Sequence, residues 1–223
     1  LKIQFTASKK VSNINFEFWK YGFFASLSNV VTQLLFVIDI LLIGYLLKDT
    51  EMVTNYRYVS LIPFSLLFLP RVFMSTDFVV FTENIFDKKY IVNYMKSYML
   101  FFLIISVLML LVSFLFSDVI LALLDKNFVK FSDSFLILMI GIVGIYIFRG
   151  LYGNLLSSIG KAHVNYYIAT FSLILNIVTN YYLIPKYGIL GAAITTAILM
   201  WLSGIISMIV FWKIYNKVLL TKE

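Results

Sequence analysis

Three ionisable residues stand inside long apolar stretches of the chain: Asp39, Arg71 and Arg149. Arginine presents a planar, permanently charged fork that holds a phosphate or diphosphate through paired hydrogen bonds. A carboxylate in apolar surroundings binds a proton or Na⁺, pairs with an arginine, or closes a polar network. On a helical wheel Ser28, Thr32 and Asp39 fall in one narrow sector, and Ser26, Asn29 and Gln33 in the next. A helix with such a face should line water or pack on polar partners. A second stripe joins Asn165, Ser172, Asn176 and Asn180 at spacings of seven, four and four. Interhelical hydrogen bonding, worth about 0.6 kcal/mol per contact, is the plainer reading of Asn176 and Asn180; lining the same polar cavity is the sharper one. No HExxH, Cys/His cluster, Walker loop or GxSxG occurs. The single histidine, His163, falls at a helix start and reads as interfacial. The sequence therefore predicts no catalytic residue, no metal site and no cofactor beyond a coupling ion, H⁺ or Na⁺.

The elements that must position these residues are membrane helices. Apolar side chains make up 61% of the chain and charged ones 13%, against about 45–50% and about 25% in soluble domains. The mean hydropathy is +0.94. A bilayer span needs about 20 residues in a helix, and six segments qualify: 21–47, 58–80, 94–117, 134–157, 163–184 and 188–212. The first, second and fourth are the ones that carry Asp39, Arg71 and Arg149. A mid-helix charge costs about 2.5–3.5 kcal/mol on the insertion scale, so each asks for a polar cavity or a partner. Arg71 and Arg149 lie at similar depth, roughly 20–23 Å from the outer ends of their helices. Two readings fit them: a clamp for a diphosphate, or two side chains snorkelling to the headgroups. Pro63 and Pro70 predict a kink in the second span. The small residues Gly188, Gly191, Ala192, Ala193, Thr195 and Thr196 predict close helix packing at the start of the sixth. Residues 119–124 read as a segment near the membrane surface.

Charge sets the orientation. Lys2, Lys9, Lys10, Lys20, Lys88, Lys89, Lys96, Lys161, Lys213, Lys217 and Lys222 fall on one side of the six spans. Lys48, Arg57, Lys126, Lys130 and Lys186 fall on the other. The positive-inside rule makes both ends cytoplasmic in a bacterial or archaeal cytoplasmic membrane. The net charge of +7 is then topological and no sign of nucleic acid. The predicted fold is all-α: six transmembrane helices within residues 21–217, with residues 1–20 and the tail 218–223 on the cytoplasmic side.

The stretch 155–197, with Gly160, Lys161, Asn176, Asn180, Pro185, Gly188, Gly191 and Thr196, resembles the C-terminal half of Wzx-type polysaccharide (O-antigen) repeat-unit flippases. These belong to the multidrug/oligosaccharidyl-lipid/polysaccharide (MOP) exporter superfamily. The stretch 38–44 is similar to the first helix of a lobe in the same family. Ile40 stands where that family often has a basic residue, and a proline usual near the end of the second helix is missing. The resemblance implies a MATE-like fold of two six-helix lobes around a central cavity, with residues 21–217 as one lobe and residues 1–20 as the cytoplasmic linker that joins it to the other. It also implies lipid-linked oligosaccharide as substrate, flipped across the membrane by alternating access. The missing N-terminal lobe, or a second copy, would then be a partner alongside the bilayer. An ion-coupled multidrug antiporter of the same superfamily is the rival. A membrane-embedded polymerase or transferase would need a large external loop or a buried histidine.

Overall fold

The computed structural model describes residues 16–220. Most of the expected linker and part of the tail lie outside the described residues. The chain folds as α1 (Phe16–Leu47), α2 (Thr50–Leu66), α3 (Phe68–Asn84), α4 (Lys88–Leu124), a 3₁₀ turn (Lys126–Phe131), α5 (Ser132–Gly144), a π-helical turn (Ile145–Arg149), α6 (Gly150–Ser158), α7 (Ala162–Tyr187) and α8 (Ile189–Leu220). Six of the resulting spans are long and apolar enough to cross a membrane. The second joins α2 to α3, and the fourth runs from the 3₁₀ turn through α6. The all-α, six-span class is the one the sequence predicts.

The helices extend past the apolar runs because polar caps start them early. Asp49 accepts from the Glu51 and Met52 amides at 2.8 and 3.2 Å and starts α2 at Thr50, eight residues before the expected 58. Asp87 accepts from the Tyr90 amide at 3.0 Å and starts α4 at Lys88. Each satisfies an amide that the first turn leaves open. Residues 119–124 are the end of α4, beyond a non-helical step at Phe116. The second span breaks between Leu66 and Phe68 rather than at Pro63, which is buried inside α2.

Tyr21 on α1 reaches Ser157 at the end of α6, and Tyr215 on α8 reaches Ile85 between α3 and α4. These ends form one face of the bundle. On the opposite face Tyr58 stacks on Phe128. α1 packs mainly on α7, and α8 on α5 and α7. Ala192 and Ala193, at the start of α8, are fully buried against Ile43, Tyr56 and Ile184. A separate core joins α3, α4, α6 and α8 through Phe81, Phe102, Tyr146, Leu155 and Phe211. α4 turns Leu103, Leu108, Leu111 and Phe114 outward, as a lipid-facing helix does.

Candidate functional site

Arg149 ends the π-helical turn, a form that adds a residue to a helical turn and re-aims the side chains beyond it. α8 comes close behind it because residue 204 is glycine: a Cβ there would stand 2.8 Å from Phe148 Cβ and 3.1 Å from the Arg149 amide nitrogen. The guanidinium donates from Nη1 to Asn165 Oδ1 at 3.0 Å and to Ser207 Oγ at 2.8 Å. Asn165 is itself fixed, donating to the Gly153 carbonyl at 2.6 Å and to Ser157 Oγ at 3.0 Å. Ser207 donates to the Ser203 carbonyl at 2.7 Å. All these acceptors are neutral, so the bonds orient the charge and leave it uncompensated.

Arg71 is set by the break before it. Pro70 has no N–H, so the Leu66 carbonyl four residues back loses its helical partner. Tyr146, in the same π-helical turn as Arg149, donates its hydroxyl to that carbonyl at 2.7 Å. Arg71 is exposed and makes no hydrogen bond or ion pair with a described residue.

Both arginines line one cavity of about 480 Å³, with Asn29, Thr32 and Gln33 from α1 and Asn154 from α6. A second cavity of about 350 Å³ shares Asn29, Thr32, Arg149 and Asn154 with it and continues to Tyr21, Ser157 and Asn165. Among the described residues, no Asp or Glu lines either. A void of about 40 Å³ leads from Thr32 and Arg149 to Ser172, Asn176 and Thr196. It has room for water, and Ser172 Oγ is buried there without a hydrogen-bond partner among the described residues.

Asp39 stands apart from this corridor. It is 0% exposed and lines none of these cavities. Its Oδ1 accepts from Asn176 Nδ2 at 3.0 Å and from Asn180 Nδ2 at 2.7 Å. Its Oδ2 accepts from Tyr56 at 2.8 Å and from the Thr196 hydroxyl. Sharing a sector with Thr32 does not place Asp39 in the cavity, because α7 and α8 cover α1 at that level. Nor does an arginine pair with it among the described residues. Asn176 serves the knot with its amide and touches the small void; Asn180 is wholly inside. Sequence pattern assigns no site role to Tyr56, which precedes the second apolar run, and marks Thr196 only as a packing residue. His163 is part-buried between Phe24 and Tyr167, with ring centroids at 6.1 and 6.3 Å.

A family model described as MatE matches residues 25–182, more than half of the chain. The chain belongs to the MatE family. The match runs from α1 into α7 and takes in Asp39, Arg71, Arg149, Asn176 and Asn180. A MatE chain with six spans is a multi-pass membrane protein and a transporter of the MOP superfamily; members of the family are transporters rather than enzymes. None of the curated proteins compared matches the chain, and none of the solved structures does.

Proposed function

We propose that this MatE chain is one lobe of a flippase for polyprenyl-diphosphate-linked oligosaccharide. The observation that carries the reading is the joint presence of Arg71 and Arg149 on one cavity that no carboxylate among the described residues lines. An anionic head group supplies the missing charge, and two guanidinium forks fit a diphosphate. A cationic drug would meet two positive charges there, while the deep acid, Asp39, is sealed away. A second lobe, from the same polypeptide or from another copy, forms the opposite wall, and the cytoplasmic membrane houses both. The placement of its basic residues supports ends that face the cytoplasm.

Coupling belongs to the Asp39 knot. Oxygens of Asp39, Tyr56 and Thr196 meet there, and Asn180 Oδ1 is buried without a hydrogen-bond partner among the described residues. This donor set fits H⁺ or Na⁺, whose charge would balance the carboxylate. The void beside Asn176 and Thr196 puts that charge within reach of the Arg149 cavity.

The test is Arg71→Ala and Arg149→Ala in the full-length protein in its native cell. Surface polysaccharide should be lost while the protein persists in the membrane. Undiminished polysaccharide at normal protein level would sink the clamp.

A further inference from the structure

On the face that carries the start of α1, a recess of about 290 Å³ is lined by Lys20, Tyr21, Phe24, Gly160, Lys161 and His163. Lys20 comes from α1, while Lys161 and His163 come from the turn into α7. Gly160 makes that turn with a φ of +75°, a left-handed backbone that side chains disfavour. The recess joins the corridor to the arginines. Tyr21 lines both it and the 350 Å³ cavity, and that cavity shares Arg149 with the cavity of Arg71. No carboxylate among the described residues lines any of the three.

Charge that serves topology alone only has to lie on the correct face. Lys88, Lys89 and Lys96 do this and line none of these cavities. Lys20 and Lys161 differ, because two separate spans bring them to one recess beside the imidazole of His163. Ammonium groups on flexible stems suit a phosphate arriving in variable poses, whereas the tethered guanidinium of Arg149 suits a fixed one.

We propose that this recess is a second phosphate-binding site, which receives the phosphate of an anionic lipid or lipid-linked glycan before Arg149 and Arg71 take it. The order of transfer rests on the flippase reading above; binding at the recess does not.

The test uses the full chain in nanodiscs of zwitterionic lipid, with inorganic pyrophosphate as probe and calorimetry as readout. Each lysine near a phosphate is worth about fivefold in affinity. Lys20→Gln with Lys161→Gln should therefore weaken one class of site about 25-fold and leave the other. Unchanged binding overturns the proposal. If the double variant fails to fold, Lys20→Gln alone replaces an exposed side chain and should cost about fivefold; no loss again overturns it. Loss in the lysine variants with none in Arg71→Ala and Arg149→Ala leaves the recess standing and removes the clamp. Repeating the titration with anionic lipid in the disc separates the sources of phosphate. Competition names the headgroup as occupant, and its absence names the diphosphate.

Discussion

α1 carries two polar centres that handle charge in opposite ways. At Asn29, Thr32 and Gln33 it faces an open cavity with two arginines. At Asp39, seven residues beyond Thr32 and so about 10 Å further along the axis, it enters a sealed knot. The carboxylate is surrounded by donors from α2, α7 and α8. The arginines keep donors to spare, and Arg71 has no protein partner among the described residues. Burial explains the contrast. A charge closed inside protein must be satisfied where it stands, since an unmet group costs about 1–3 kcal/mol. A charge on a cavity wall can leave its partner to water or to a ligand. The knot is therefore satisfied within the packing of α1, α2, α7 and α8, while the cavity wall stays charged.

Substitutions should divide along that line. Asp39→Ala leaves four donating groups without their acceptor. Thermal unfolding of the purified protein should show a loss of about 3 kcal/mol or more; an unchanged melting point would contradict a sealed knot. Arg149→Ala should cost less, about 1–2 kcal/mol, because Asn165 Oδ1 and Ser207 lose one bond each. Tyr146→Phe removes a single hydroxyl and leaves the Leu66 carbonyl unpaired. About 1 kcal/mol is expected, together with weaker export. Arg71→Ala should shift unfolding by at most about 0.5 kcal/mol while abolishing surface polysaccharide, the sharpest separation of folding from function. Orientation is checked by cysteines at positions 88, 161 and 127. The first two should resist external labelling in intact cells, and the third should react.

Much of the fold is legible in the sequence. Length, hydropathy and basic-residue placement predict six spans and their alternation, because a bilayer imposes one length on every helix. The charges on α1, the second span and the fourth mark the three spans that line the cavity of about 480 Å³. The wheel of α1 does not separate Thr32 from Asp39, although one faces a cavity and the other α7. Angular position around a helix says nothing about which neighbour covers it at each level. The spacing of Asn176 and Asn180 puts them on one face without showing that the face meets Asp39. Tyr56 is hidden by a hydropathy boundary that lies eight residues inside the true helix start, and the Asp49 cap is the available signal. Nothing in the local sequence points to Tyr146, whose partner is 80 residues away.

That tyrosine gives the two arginines a shared mechanical fate. The carbonyl freed by Pro70 sits at the break between α2 and α3, and its cap grows from the same five-residue turn that ends in Arg149. The break cannot part from that turn without losing the bond. While the bond holds, the backbone segments that carry Arg71 and Arg149 stay tied to each other.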